Sequence, residues 1–501
     1  MRRSAIAVAL LAALPATAQP AFEPRPLPSH IYTGGWEHFV GGGLAAFDCS
    51  GDGLPELYAA GGSNPGQLFL NGSEPGGDLT FARTESSGLE ITGVIGAYPL
   101  DIDSDGVLDL AVLRVGDNLL LRGTGDCRFA PMEIGFQSGE AWSTAFSATW
   151  EAGAELPTLA IGNYVDRADP EGPFGTCDAN RLYRPEGDAY AAPLALEPGF
   201  CALSMLFTDW ARTGRPDLRV SNDRHYYVRG GEEQLWAMED TPRLYGPEDG
   251  WASHQLWGMG IASRDLDRDG LAEVYLTSMG DQRLQIREGD GPSYVDARYE
   301  QGATAHRPYT GGDGRPSTGW HAAFGDVDND GWSDLFVTKG NVEQMPGSAM
   351  DDPNNLLMGG AEGVFTEAGL EAGIASLHRG RGGALVDLNA DGRLDIAVVN
   401  RGAEMELFQN VTPDIGHWLA VLPLQEGPNR FAIGAHVELR AGDALWVQEI
   451  TVGGGHAGGV AGPLHFGIGA AEMVDIRVIW PEGAVSDWPG IAADQTVTLT
   501  R

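Results

Sequence analysis

The chain has 501 residues, with 70 Asp+Glu against 32 Lys+Arg, a formal charge of −38 and 72 glycines. So strong an acidic excess excludes a nucleic-acid binder or a protein held to anionic lipid, because both need clustered Lys and Arg. With 43% hydrophobic residues the chain is not compositionally disordered, and glycine without a Gly-X-Y period indicates a turn-rich β protein.

The N-terminus opens with the basic Met1-Arg2-Arg3, an apolar run from Ala5 to Leu14 and a small-x-small cleavage site at Ala16-Thr17-Ala18. This is the pattern of a Sec-type secretory signal over 1–18. The run falls short of the roughly 20 apolar residues a membrane span requires. No later stretch is long and apolar enough either, so the expected product is secreted or periplasmic, without membrane insertion. Export makes the 4 cysteines disulfide candidates, and no C-x-x-C spacing suggests a metal. Cys177 and Cys201 bracket one segment and are the favoured pair, which leaves Cys49 to Cys127.

A repeat dominates the next four hundred residues. Its acidic string reads Asp48-Cys49-Ser50-Gly51-Asp52-Gly53 with Glu56, then Asp101, Asp103, Asp105, Gly106 and Asp109. It returns as Asp265, Asp267, Asp269, Gly270 and Glu273; as Asp326, Asp328, Asp330, Gly331 and Asp334; and as Asp387, Asn389, Asp391, Gly392 and Asp395. Degenerate copies start at Trp150 and Asp209. The seven starts lie 49–61 residues apart, a period of one supersecondary unit.

Each unit carries the same four runs. A Gly/Ala-rich strand such as Gly43–Phe47 enters the acidic loop, and an alternating strand such as Asp334–Thr338 leaves it. A third apolar run follows (Gln67–Leu70, Asn118–Leu121, Asn355–Met358), then a poorer fourth (Phe81–Arg83, Val364–Thr366). Period-2 alternation between Gly/Asn/Asp breaks means antiparallel strands, and four per unit is the blade of a β-propeller. The expected fold is all-β: a seven-bladed propeller over 19–410 and a small β module over 411–501. Unit seven lacks a fourth strand, and Phe22–Arg25 resembles one, so the N-terminal segment is expected to complete that blade and remove an exposed edge.

The acidic loops suit a cation. Oxygens at positions 1, 3, 5 and 9, with glycine at 6 for the sharp turn, converge on one point, and flexible carboxylates select Ca²⁺ over Mg²⁺. Position 12 is a strand residue (Ala59, Val112, Leu276, Val337 or Val398) rather than a bidentate Glu, so these are strand-loop-strand sites and not EF-hands. Solvated Asp/Gly turns are the alternative. Five copies in register argue against it, because crowded carboxylates repel unless a cation or protons neutralise them. About five Ca²⁺ are therefore expected, with the loop at Asp48 the weakest for its Ser50. The units at Trp150 and Asp209 are expected to hold no ion and to be kept by packing.

These repeats resemble the FG-GAP/VCBS repeats that build the integrin α propeller. Asn429-Arg430, Ile433-Gly434-Ala435, Gly453–His456, His465–Gly469 and Val478–Gly483 resemble an ASPIC/UnbV domain. The combination is similar to the cartilage acidic protein family, bacterial members included. The resemblance implies the fold and calcium binding more firmly than any activity.

Strand-one entry loops are expected to surround one mouth of the central channel. They carry Trp36, His38, Trp257, Trp320, His321, His378, Arg379 and Arg381, a set suited to a carbohydrate, a carboxylate or a protein tip. Polar residues filling a wet channel are the plainer reading. His456 and His465 are either ligands or ordinary loop histidines. No G-x-S-x-G, H-E-x-x-H or phosphate loop is present. The leading expectation is an exported calcium-binding interaction module for an extracellular protein or glycan. The alternative is a lyase or hydrolase of carbohydrates with its site at the channel mouth.

Overall fold

The computed structural model describes residues 19–84, 86–169, 175–223, 230–304 and 307–501; the segment 1–18, expected to be a secretory signal, lies outside them. The described chain is nearly all β, with only short 3-10 turns as helix. No helix is long and apolar enough to cross a membrane.

Seven four-stranded antiparallel sheets follow one another along the chain. Their first strands are Leu44–Phe47, Val94–Leu100, Ser143–Thr149, Ala202–Thr208, Gly258–Arg264, Gly319–Gly325 and Gly380–Val386. Each packs against the first strand of the next sheet, and the seventh returns to the first, so the sheets form a propeller-like ring. Hydrophobic clusters fill the gaps between neighbours. Leu57 and Leu68 of sheet one share a cluster with Leu110 and Leu121 of sheet two and Leu407 of sheet seven. Sheet seven is completed by Phe22–Arg25, which pairs antiparallel with Glu406–Asn410 in the register Phe22↔Asn410. Two disulfides tie the ring further: Cys49–Cys127 joins sheets one and two, and Cys177–Cys201 joins unit three to the start of sheet four.

The C-terminal part is a module of two sheets. One pairs His417–Leu424 with Leu464–Gly469 and Gln495–Thr500. The other orders Ala444–Glu449, His436–Ala441, Met473–Ile479 and Val485–Ala492. Leu419, Val437, Phe466, Ile476 and Trp480 form its core.

Between the strands Ala444–Glu449 and Leu464–Gly469 the module sends a glycine-rich segment into the axis of the ring. Its backbone meets one sheet after another. The Ala148 amide donates to the Val452 carbonyl (3.2 Å), Gly454 to Met205 (2.7 Å), Gly455 to Ile261 (2.7 Å), and Ala46 to the Gly459 carbonyl (3.1 Å). Gly458 bridges to Ala97, and Val460–Ala461 runs parallel to Leu44–Phe47 as a fifth strand of sheet one. Backbone packed on backbone leaves no room for side chains. A Cβ on Gly43 or Gly96 would collide with the Ala457 carbonyl, and one on Gly458 with the Leu44 carbonyl.

The Gly96→Ala variant should therefore lose about 1–3 kcal/mol of stability through overpacking at the axis. Gly347→Ala, where a methyl meets open space, should change stability by less than about 0.5 kcal/mol. Urea unfolding of the two variants checks this, and equal stabilities would mean that the axial segment does not hold the ring.

Candidate functional site

The acidic loops join the first strand to the second in their sheets, and all five full copies are built on one hydrogen-bond template. The position-1 carboxylate accepts from the position-6 glycine amide: Asp48 from Gly53 (2.8 Å), Asp101 from Gly106 (2.9 Å), Asp265 from Gly270 (3.0 Å), Asp326 from Gly331 (2.7 Å) and Asp387 from Gly392 (2.8 Å). The position-5 carboxylate accepts from the amide two residues on, as Asp330 does from Trp332 (2.8 Å) and Asp391 from Arg393 (2.9 Å). The position-9 acid accepts from the position-2 amide, as in Glu56 with Cys49 (2.8 Å), Asp109 with Ile102 (2.8 Å) and Asp334 with Val327 (2.8 Å). The glycine at position 6 has φ between 79° and 95° in all five loops, a left-handed turn that only glycine takes without strain.

Carboxylate oxygens of Asp101, Asp103 and Asp109 lie within 4.8 Å of one another, as do those of Asp265, Asp267 and Asp269, and of Asp326, Asp328 and Asp334. Asp101 Oδ1, Asp265 Oδ1 and Asn389 Oδ1 are buried and accept no hydrogen bond among the described residues. Loop one is different: Glu56 groups with Cys49 and Cys127, whose sulfurs are spent in a disulfide, and Ser50 Oγ turns back to Asp48 (3.4 Å). In loop two Asp103 also pairs with Arg122 (2.5 Å). The degenerate loop at Asp209 keeps the template, with Thr213 and Gly214 amides donating to Asp209 (2.8 and 2.6 Å), so hydrogen bonds as well as packing shape it.

Burial and like charge act on these groups together. Desolvation, with a smaller push from neighbouring carboxylates, raises Glu56, Asp109 and Asp265 to about 7, Glu273 to about 8 and Asp101 and Asp387 to about 6. It also drives Asp326, Asp334 and Asp395 well above the usual carboxylate range.

The C-terminal module sits on this face of the ring and covers chiefly the loops at Asp326 and Asp387, while Asp52, Asp105, Asp267 and Asp269 stay exposed. The Gly416 amide donates to Asp328 O (2.9 Å) and the Gly469 amide to Asn329 O (3.0 Å). Trp446 Nε1 donates to Gly331 O (2.9 Å), and the Arg268 guanidinium stacks 3.7 Å from the Trp332 ring and 5.0 Å from Trp446. His465 Nε2 donates to Gly392 O (3.1 Å), and the Asn429 amide to Ser104 Oγ (3.0 Å) in loop two.

The entry-loop residues behave differently from the expectation of an open channel mouth. Trp320 and Arg381 are 0% exposed, His321 5% and His38 8%. They are sealed because the axial segment ends among them. The His456 ring lies 4.9 Å from Trp320, its amide donates to His321 Nδ1 (3.1 Å), and Arg381 stacks 4.0 Å over Trp320. The Gly41 amide donates to His456 Nε2 (3.1 Å) while His456 Nδ1 meets Met259 O (3.1 Å), so the ring proton sits on Nδ1. Burial lowers His456 to about 3 and His321 to about 4, which leaves both neutral. These histidines position a plug and are not placed to do chemistry on a ligand. Trp36 packs edge-on against Trp142 (5.4 Å), and Trp257 is half-buried. Only His378 is exposed, beside a half-buried Arg379 that pairs with Glu343 (3.0 Å).

The model of the FG-GAP-like repeat matches residues 48–112 and 265–337, and that of ASPIC and UnbV matches 425–501. The chain combines FG-GAP-like repeats with an ASPIC and UnbV domain. It is 27% identical to cartilage acidic protein 1 of Mus musculus over 49% of its length, and 30% identical to that of Xenopus tropicalis over 46%. These matches span about a third of each relative, 36% and 34%. Among solved structures, BBS1N in complex with ARL6DN is similar at a TM-score of 0.47 and 10% identity, over 78% of this chain and 97% of that one. The plug thus belongs to the ASPIC and UnbV domain, whose Gly453–His456 run carries no sequence sign of its destination. The signal that was available is on the ring side: Gly96 and Gly260 interrupt innermost strands and Gly43 directly precedes one, and glycine inside a strand marks close approach of another backbone.

Because the loop acids are raised in the folded state, their stabilising contribution without a cation is complete below about pH 4 and is lost as pH rises through about 6–8. Thermal melts in EDTA should accordingly give a lower Tm at pH 8 than at pH 5. A flat profile would show that these carboxylates ionise freely in the fold.

Proposed function

We propose that the protein is an exported, calcium-stabilised seven-bladed propeller (19–410) capped by its ASPIC/UnbV domain (411–501), with 1–18 removed as a signal. In this reading it serves as an extracellular interaction module for a protein or glycan. The observation that carries the calcium part is the set of buried, unpartnered oxygens of Asp101, Asp265 and Asn389 within five loops of one geometry. The donor set fits a hard divalent cation: oxygens only, from flexible carboxylates, spaced for the 2.3–2.6 Å bonds that Ca²⁺ makes. Asp101, Asp103, Asp105 and Asp109 would hold one ion. Asp265, Asp267, Asp269 and Glu273 would hold the second, Asp326, Asp328, Asp330 and Asp334 the third, and Asp387, Asn389, Asp391 and Asp395 the fourth. The loop of Asp48, Ser50, Asp52 and Glu56 supplies the weakest site. Each ion would cancel the mutual repulsion of carboxylates that the domain above shields from water.

The role in interaction rests on the two disulfides, on the named relatives and on the shape left by the plug. With the axis filled by the chain's own backbone, a partner is left the outer loops on the face opposite the domain, where His378 and Arg379 stand.

Calorimetric titration should count about five Ca²⁺ per chain. At 10 mM calcium each site of the affinity usual for extracellular loops, about 10⁻⁴–10⁻³ M, adds about 1.4–2.7 kcal/mol. The Tm should rise by several degrees over that in EDTA, and Asp328→Asn should remove one site. No heat and an unchanged Tm would defeat the calcium reading. For the interaction reading, arrays of secreted proteins and glycans probed in calcium should yield binding that EDTA abolishes and that His378→Ala with Arg379→Ala weakens at least tenfold. Binding indifferent to both would overturn it.

A further inference from the structure

A chamber of about 370 Å³ lies between the acidic-loop face of the ring and the C-terminal domain, below the axial segment. Its volume falls within the range of small-molecule sites. The ring contributes Leu206, Arg264 and Phe324 to its wall, and the domain contributes Leu422, Val447 and His465.

Most polar groups of the wall are already engaged. Glu449 accepts from the Asp209 amide (2.8 Å) and from Thr208 Oγ1 (2.6 Å). Arg212 pairs with Glu438 (2.5 Å). Asp101 Oδ1, Asp265 Oδ1 and His465 Nδ1 are left without a partner among the described residues, and the one cation among the unpartnered wall groups is Arg264. It ends the first strand of sheet five, its guanidinium makes one hydrogen bond, from Nη2 to Phe324 O (3.1 Å), and it has no ion pair among the described residues. Its Nε is buried without a partner, while the side chain as a whole is only half-buried. Asp265, next in sequence, and Asp326, in the loop of sheet six, attract it without pairing with it, and Glu273 stands opposite it in the ladder; each gives an oxygen to an amide of its own loop. A guanidinium that faces a partly apolar cavity with no carboxylate paired to it among the described residues is a site for an anion, and a carboxylate matches its planar donor fork.

We propose that this chamber binds a small organic carboxylate, Arg264 pairing with the carboxylate while Leu206, Leu422 and Val447 cover the carbon frame. The proposal rests on the calcium reading in one respect: ions held in the loops keep Asp265 and Asp326 from competing for Arg264.

Cyclohexanecarboxylate and cyclohexanemethanol, matched in size and differing in charge, are the probes. Titrated into the full chain in 10 mM calcium, the acid should bind with a Kd of about 1 mM or tighter and at least tenfold better than the alcohol. Arg264→Met should abolish that preference and Arg264→Lys keep part of it, with calcium stoichiometry unchanged in both. Leu422→Trp, which fills the chamber from the domain side, should remove binding of both probes, and it serves as the test should Arg264→Met fail to fold. Equal binding of acid and alcohol, binding of neither, or a preference surviving Arg264→Met overturns the proposal. The two readings fail separately. Calcium uptake without carboxylate binding removes only the chamber, and Arg264-dependent carboxylate binding without calcium uptake removes only the calcium loops.

Discussion

Within its own blade, the innermost strand of every sheet in this ring pairs on one side only. Its other edge, with the amides and carbonyls of Leu44–Phe47, Ser143–Thr149, Ala202–Thr208 and their equivalents, faces the axis. Buried backbone groups must find partners, and an open edge at the centre of a protein has to be met by water or by another chain segment. Here a segment of the same chain meets it. Gly453 to Gly459 offers carbonyls and amides to successive strands and, His456 apart, almost no side-chain volume, so one winding segment serves several edges at once. The small residues on the ring side follow from the same constraint, since a methyl at Gly43 or Gly96 would occupy the space of the Ala457 carbonyl.

That axial contact decides where the C-terminal domain sits. A segment that enters the ring from one end fixes its parent sheets over that end, and the acidic loops are there. Loops that would be hydrated on a bare ring lie instead under Trp418, Trp446 and Gly467. The domain removes water from carboxylates that already repel one another, and their upward displacement follows from that burial. Backbone amides of the loop template offset part of the cost, with each position-1 and position-9 acid accepting at least one. The oxygens without amide partners mark the remainder, which protons or a cation must supply.

Much of this was legible in the residues and some was not, for physical reasons. The repeat was legible because each unit is a local object: Asp326 to Asp334 forms its own turn whatever lies elsewhere, and Asp334–Thr338 alternates as a half-covered strand does. The pairing of Phe22–Arg25 with Glu406–Asn410 joins the two ends of the ring, yet the missing fourth run of unit seven pointed to it. The destination of Gly453–His456 was not legible, because a glycine run names no partner and its contacts lie hundreds of residues away, at Gly41 and His321. For that reason Trp320, His321 and Arg381 looked like the furnishing of an open mouth. An aromatic, an imidazole and a guanidinium suit a ligand and suit a plug equally well, and composition does not tell which one arrives.

The same seam supplies both devices that hold the ring. Glu406–Asn410 takes Phe22–Arg25 as its outer neighbour, and the next strand of the chain, His417–Leu424, already belongs to the C-terminal domain. Closure of the outer circumference and occupation of the axis thus begin within a few residues of each other, one made by the N-terminal strand and one by the C-terminal domain. Opening the ring at sheet seven would release the root of the domain whose loop fills the centre, and withdrawing that loop would bare the inner edges next to the joint. Neither contact has a local substitute, since the disulfides Cys49–Cys127 and Cys177–Cys201 clamp other units. The two ends of the chain are therefore coupled through one sheet, and the acidic loops, lying between that sheet's neighbours and the domain, sit where the coupling passes.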